Sequence, residues 1–556
     1  VKQAGGGAAA AEATFDFIVV GAGAAGCVIA NRLSADPAVR VALIEAGPSD
    51  RRFPVNWKTA LPIGNIFLLP HARYNWQHVF EGGPGVNDRE IACPRGRLLG
   101  GSTSVNGTVY IRGHRRDYDD WAAHGLDGWS WRDVLPEFMA HENRTGAPSP
   151  LHGRDGELDV QSLRTPNPLA RAFVAAAVEA GHRRTDDFNG PEQDGFGLYD
   201  LNQRDGLRLS SSRAFLHPAL GRANLEVVTD ALVENVRIVG GRAVGVTLVK
   251  GGVRRTLDAR REVVLAGGTV NSPQLLLLSG IGPAAELARH GIAVVRDLPG
   301  VGANLQDHPT ASLAVDNPGA ESYALSRRAL GRVALAPLRW LTRRRGMLAS
   351  NAAEAGGFWR SRPGLDRPDV QFTFMVGMKS SACTIPRAHG FVVHVAVLRP
   401  RTRGRLELVS ADPAARPRLQ ARFLEDRADV ETLVAGLREA RRIFAMPALR
   451  HYWGVELSPG ASVADEAALE SFVRATATTT YHPVGTCRMG RAGDAMAVVD
   501  AQLRVHGIAG LRVADASVMP DIIGGNTSAP SMMIGERAAA FILGRQGVRP
   551  REAVVA

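Results

Sequence analysis

Cysteine is scarce in this chain. The four present, Cys27, Cys93, Cys383 and Cys487, stand far apart with no C-x-x-C spacing. Neither a metal site nor a disulfide framework is therefore indicated, and no metal is expected. Buried free thiols in a reducing, cytoplasmic compartment are the expectation. Long apolar runs are missing as well: no stretch approaches the ~20 residues that a membrane-spanning helix needs. The opening VKQAGGGAAAAEA has no signal-peptide shape. Residues 1–13 read as a disordered leader, and a targeting segment processed from upstream of Val1 stays open. No internal repeat and no nucleic-acid motif are present. The net charge of +11 comes from 66 Lys plus Arg against 55 Asp plus Glu, mostly Arg scattered among acids, so nucleic acid is not an expected partner. One stretch differs. Arg327 to Arg345 holds seven Arg and no acid, interleaved with Leu330, Val333, Leu335, Leu338, Trp340 and Leu341. Such a segment either lies on a membrane surface as a peripheral contact or presents a solvated basic face near a substrate entrance.

What is there in quantity is glycine, 61 residues in 556. That suits a fold with many tight βα turns and a cofactor lying close to the backbone. The length implies two or three units. The first ordered signal is FDFIVVGAGAAGCVIANRLSADPAVRVALIEAG: an apolar run, a glycine turn, a helical pattern and a second apolar run, hence a βαβ unit. Its turn, Gly21-Ala22-Gly23-Ala24-Ala25-Gly26, is G-x-G-x-x-G. The first glycine makes the turn, the second admits a pyrophosphate, and the third lets helix and strand pack. The helix start offers free N–H groups to phosphates. Glu45, at the end of the next strand, accepts hydrogen bonds from a ribose diol and repels a 2′-phosphate, favouring FAD or NAD over NADP. Further along, Leu225–Val249 alternates as a hairpin turning at Gly240-Gly241, and Glu262–Gly267 reads as a buried strand before a helix at Ser272–Ser279. Val392–Leu398, Arg405–Val409 and Leu511–Ala514 read as strands. Pro168–Gly181, Asp426–Phe444, Asp465–Thr476 and Ser531–Leu543 read as helices.

Five separated segments carry a family resemblance. They are GRLLGGSTSVNGTVYIRG from Gly96 to Gly113, GTVNSPQLLLLSGIG from Gly268 to Gly282, GVGANLQDH at Gly300–His308, YHPVGTCRMG at Tyr481–Gly490, and GLRVADASVMPDIIGGNTSAPSMMIGERAA from Gly510 to Ala539. In this order they resemble the signatures of the glucose–methanol–choline (GMC) oxidoreductases, over nearly the whole chain. Within that family they look most like choline dehydrogenases and the related bacterial alcohol and sorbose dehydrogenases. The resemblance implies an α/β (α+β) protein. A Rossmann-like FAD-binding domain would be assembled from residues 14–160, 220–312 and 475–546. A substrate domain with a six-stranded antiparallel sheet and helices would take 161–219 and 313–474, leaving 547–556 as a tail.

The resemblance also implies roles. Arg97, Gly100, Gly101, Ser102, Val105, Asn106, Gly107 and Val109 would lie along FAD. Val233 would meet adenine, Asp515 the ribityl chain or pyrophosphate, and Asn526 and Thr527 the flavin end. Val105 stands where some members carry a histidine that bonds FAD covalently, so non-covalent FAD is expected. The reaction implied is oxidation of an alcohol CH–OH to a carbonyl, with hydride passing to flavin N5 and electrons going on to oxygen or a quinone-type acceptor. Such chemistry needs a base for the hydroxyl proton and a partner for the developing alkoxide. His482 matches the base position and Asn526 the partner; His308 is read as structural. Glu354 and Tyr481 are candidate substrate contacts, able to meet a quaternary ammonium through charge and ring face. Choline dehydrogenases of this type usually carry His-Phe before that Glu, whereas Ala352-Ala353 precede it here. A neutral alcohol is favoured, with choline as the alternative. Fatty-acid photodecarboxylases share the fold but place Cys before Arg-Pro, where Leu398 precedes Arg399-Pro400 here.

Overall fold

The computed structural model describes residues 13–378 and 386–545. Positions 1–12 of the expected leader, the tail and Cys383 lie outside them. Ala13, assigned to the leader from sequence, opens the first strand.

The apolar run before the glycine turn forms strand Ala13–Val20. Helix Ala24–Leu33 then returns the chain to Val41–Ile44, parallel to the first strand with Val20 opposite Ile44. These strands carry no alternation because both faces are covered, as parallel sheets require. The sheet runs Leu225–Val228, Val41–Ile44, Ala13–Val20, Val253–Leu265, Arg242–Lys250, Ala231–Val239. The first four strands are parallel and the last two form an antiparallel hairpin; Leu225–Val228, read from sequence as part of that hairpin, is instead the parallel edge strand. Its turn uses Gly240 and Gly241 at φ +56° and +75°, a left-handed pair that β-hairpins favour. The last three residues of the long strand also pair in parallel with Leu511–Val513, tying the C-terminal segment into the first sheet. Helix Ser528–Ile542 packs on Ala24–Leu33 so closely that a Cβ on Gly535 would stand 2.8 Å from the Ala25 carbonyl oxygen.

A second sheet is antiparallel, in the order Glu456–Ser458, Pro309–Asp316, Gly390–Val397, Val370–Met375, Ala353–Trp359, Gly195–Leu198. The six strands anticipated from the resemblance are joined by a two-residue seventh, Thr478–Thr479, paired with Pro309 and Thr310. The sheet's two faces differ in the way period-2 alternation dictates. One presents Val393, Val395, Phe372 and Phe374 to helices Pro168–Glu179 and Arg427–Phe444. There Phe173 stacks on Phe374 at 4.6 Å and meets Phe444 edge-on. The other face carries Thr310, Ser312, Gln371, Thr373 and His394 toward a cavity.

One helix begins earlier than its local sequence indicates. Gly268–Leu278 starts four residues before the expected Ser272 because its cap comes from far away: Asp515 accepts hydrogen bonds from Gly268 N (2.9 Å) and Ser272 Oγ (2.6 Å). Pro273 inside it cannot donate to the Thr269 carbonyl, and Thr486 Oγ1 supplies that bond at 2.6 Å. The basic stretch folds as Leu330–Ala334 and Ala336–Arg343. Leu330, Leu335, Leu338 and Leu341 there are all exposed. Among the described residues, no helix is long and apolar enough to cross a membrane.

Candidate active site

A cavity of about 540 Å³ lies between the glycine turn and the polar face of the second sheet. Its walls come from chain segments spanning Val20 to Ser531. The three glycines of the turn divide their work as the motif requires. Gly21 sits at φ +101° and a Cβ there would stand 2.5 Å from the Ala266 carbonyl oxygen. A Cβ on Gly26 would lie 1.9 Å from the Gly21 oxygen. Gly23 faces open space, its Cβ meeting nothing nearer than 3.9 Å. The open position is the one a pyrophosphate would approach. Gly101, at φ +50°, brings the second glycine loop against Gly23; a Cβ there would be 2.9 Å from Gly23 Cα. The donor set suits a dinucleotide.

Gly21, Gly23, Ala24, Ala25, Glu45, Gly101, Ser102, Val105, Asn106, Gly107, Val109, Val233, Asp515, Asn526 and Thr527 all line this cavity. Gly26 and Gly100 stand behind it, shaping the turns. Arg97 is not itself on the wall; its guanidinium lies over the ring of the wall residue Trp76 at 4.9 Å. Glu45 takes backbone N–H groups from Ala22 (3.0 Å) and Gly47 (2.9 Å), which braces the turn. Burial pushes its carboxyl up to about 7. Each oxygen keeps a lone pair for a hydroxyl donor. Asn106 accepts from Arg208 Nη1 at 2.8 Å, which anchors the loop.

The seventh strand delivers His482. Thr479 Oγ1 donates to Asp307 Oδ2 at 2.6 Å, and the His482 and His308 amides donate to Asp307 Oδ1 at 2.8 and 2.7 Å. Tyr481 turns between them in the left-handed region, φ +65°, a conformation that costs a non-glycine residue of order 1–3 kcal/mol and is held only by its surroundings. Here Tyr481 N donates to Thr479 Oγ1 (2.8 Å), and its carbonyl accepts from Arg95 Nη2 (2.6 Å). The imidazole of His482 is thereby fixed. Nδ1 lies 2.9 Å from Thr480 Oγ1 and 3.1 Å from His308 Nδ1. Nε2 lies 3.2 Å from Asn526 Nδ2 on the cavity wall. Burial, the His308 ring and the Arg95 guanidinium hold His482 well below the usual histidine range, so it is neutral at neutral pH. Burial lowers His308 to about 3 and lifts Asp307 to about 6. A neutral imidazole beside an amide donor can take a proton from a hydroxyl while the amide holds the oxygen.

Tyr481 lines the cavity, whereas Glu354 does not. Glu354 is fully buried, and its carboxylate accepts from Ser350 Oγ (2.5 Å), Tyr323 OH (2.8 Å) and Asn167 N (2.6 Å). It knits strand Ala353–Trp359 to the start of helix Pro168–Glu179. Sequence reasoning missed Asp307, Arg95, Thr480 and the polar row Thr310, Ser312, Gln371, Thr373 and His394. The row was signalled only by polar residues at every second position of strands whose other face is apolar.

Two family models of GMC oxidoreductases match, the N-terminal one over residues 15–310 and the C-terminal one over 400–535. An alcohol dehydrogenase [acceptor] of Pseudomonas putida is 43% identical over 536 residues, 95% of this chain and 96% of its own. The mitochondrial choline dehydrogenase of Mus musculus is 42% identical over 547 residues, 97% of this chain and 91% of its own. A formate oxidase of Aspergillus oryzae RIB40, a variant made to probe modification of its FAD, superposes with TM-score 0.89 at 26% identity, covering 96% of this chain and 99% of its own. With the glycine turn, the two sheets and the His482–Asn526 pair on one cavity, the chain belongs to the GMC oxidoreductase family.

Proposed function

We propose that this protein oxidises the CH–OH group of a neutral alcohol to an aldehyde or ketone, using non-covalently bound FAD. The observation that carries the reading is the pairing of His482 Nε2 with Asn526 Nδ2, 3.2 Å apart on the cavity wall. A hydroxyl oxygen has room to sit about 3 Å from both. His482 Nε2 takes its proton, and Asn526 Nδ2–H stabilises the negative charge that develops on the oxygen. When bound, FAD supplies the acceptor for the α-hydride. The cavity-lining glycine turn, Gly101, Ser102, Val105, Asn106, Gly107, Val233 and Asp515 would hold it. Val105 offers no nucleophile for a covalent link.

The state of Glu354 favours a neutral substrate, a primary, aromatic or polyol alcohol, over choline. A buried carboxylate already holding three donors is not free to face a quaternary ammonium. The electron acceptor in this reading is oxygen or a quinone-type compound. The test is anaerobic bleaching of the flavin by ethanol, octanol, benzyl alcohol, sorbitol and choline, repeated in air with peroxide detection. Fastest reduction by choline would overturn the neutral-alcohol reading, and no bleaching by any of them would overturn the activity.

The basic segment adds a partner. Leu330, Leu338 and Leu341 are 68%, 57% and 62% exposed among seven arginines. The chain then runs directly to Asn351, whose side chain donates to the Gly107 carbonyl (2.7 Å) beside the cavity-lining Ala353. Apolar side chains among arginines, at the cavity's flank, fit peripheral docking of a cytoplasmic enzyme on an anionic membrane surface. Phosphatidylglycerol vesicles should pellet the protein at low salt and release it at high salt; absence of salt-dependent pelleting would leave a solvated basic face.

A further inference from the structure

We propose that Gln371, seated by Tyr199, is a positioning residue that sets the proton polarity of the His482–Asn526 pair, holding Asn526 with its amide hydrogens toward His482 and His482 with Nε2 bare. The inference rests on the reading of His482 as the base, and concerns residues with no assigned role.

The chain of bonds begins at a group that cannot reverse. The Phe372 carbonyl, a strand backbone oxygen, only accepts. Tyr199 OH lies 2.8 Å from it and must donate its single proton there. Burial pushes the Tyr199 phenol up to about 12, so that proton stays in place. The phenol oxygen is then left as acceptor toward Gln371, 3.2 Å away, and the Gln371 atom there must be the amide nitrogen. The same nitrogen lies 3.1 Å from Asn526 Oδ1. Asn526 therefore presents oxygen to Gln371 and nitrogen to His482. A donor facing His482 Nε2 requires that nitrogen to be unprotonated, and the ring proton sits on Nδ1, where Thr480 Oγ1 is 2.9 Å away. The fixed carbonyl thus decides both the amide orientations and the imidazole tautomer.

The alternative polarity is ruinous for the reaction. If Asn526 turned its oxygen to His482, Nε2 would carry the proton. The base would be occupied and the alkoxide would face a lone pair. The fold makes room for the anchor at a glycine: a Cβ on Gly356 would stand 2.1 Å from Tyr199 OH and 2.2 Å from the Phe372 oxygen. The other groups around His482 are His308, Asp307 and Arg95, and all act on the Nδ1 side or the backbone.

The test uses the FAD-loaded protein with ¹⁵N-histidine, His482 being assigned by its loss in His482→Ala. Wild type should show the Nδ1–H tautomer, and Gln371→Leu a mixture with Nε2–H. Flavin reduction by the fastest alcohol of the panel above should fall about 10-fold in Gln371→Leu, a fraction of what losing a whole oxyanion donor costs. In the Asn526→Ala background the same change should cost less than about 2-fold, because the donor it orients is gone. Tyr199→Phe should act in the same direction and add little to Gln371→Leu. An Nε2–H tautomer in wild type, or equal losses with and without Asn526, would overturn the proposal. Failure of His482→Ala to slow reduction would instead overturn the base reading, and the tautomer spectrum would still report on Gln371.

Discussion

If His482 accepts the hydroxyl proton, its neutral form does the work, and the structure fixes where that form prevails. Its pKa is depressed by burial, by His308 and by Arg95. Flavin reduction should therefore be flat from about pH 8 down through the ordinary histidine range near 6.5, falling only at more acid pH. The same shift enters stability with a definite sign. Below the unfolded-state value near 6.5 the unfolded chain binds a proton that native His482 refuses, so stability present above that pH is lost as pH falls, by up to about 1.4 kcal/mol per unit for this one group. His482→Ala removes both effects. It should keep FAD, since the imidazole is held by Thr480, His308 and Asn526 at the cavity wall. Reduction should slow by about 10²–10⁴-fold, the usual contribution of a positioned base, or roughly 3–5 kcal/mol of barrier. Anaerobic stopped-flow of the folded, FAD-loaded variant measures this. A rate within about threefold of wild type, with an unchanged pH profile, would remove His482 from the mechanism.

Gly23→Val should fold yet purify without FAD, because the added branches enter the cavity where the pyrophosphate would lie; a fully loaded variant in its absorbance spectrum would misplace the dinucleotide. Acid precipitation should release FAD into the supernatant, since Val105 has no nucleophile; flavin retained on the chain would show a covalent link elsewhere. Asp307→Asn puts an amide against three donors and should cost about 1–3 kcal/mol in denaturant unfolding while slowing reduction; unchanged values would deny Asp307 its part in placing His482. Phe173→Ala empties the stack on Phe374 and should cost about 3–5 kcal/mol, with the alcohol preference unaltered; a shifted preference would mean the apolar face also shapes the substrate side.

The dinucleotide turn was legible because its requirements are local: three glycines at fixed offsets, a strand before and a helix after. The His482 and Asn526 positions were legible through the surrounding motifs, which mark where they stand and leave their contacts unstated. Glu354 shows the limit. A carboxylate beside a glycine pair reads as a substrate contact, yet Ser350, Tyr323 and Asn167 reach it through folding, and the partners 31 and 187 residues away leave no mark near it. The early start of helix Gly268–Leu278 has the same origin, a cap from Asp515. Gln371 and Tyr199 escaped notice because a polar residue on a strand has no signature until its neighbour across the sheet is known.

The cavity walls tie cofactor binding to the joining of distant stretches of chain. Gly21, Gly23, Ala24 and Ala25 line one cavity with Asp515, Asn526 and Thr527 although the two groups stand far apart in sequence, and Leu511–Val513 brings the later stretch into the first sheet. The cofactor's seat is therefore complete only when both stretches are folded together. A bound dinucleotide would bridge these two stretches, so that free cofactor would add to the stability of the fold.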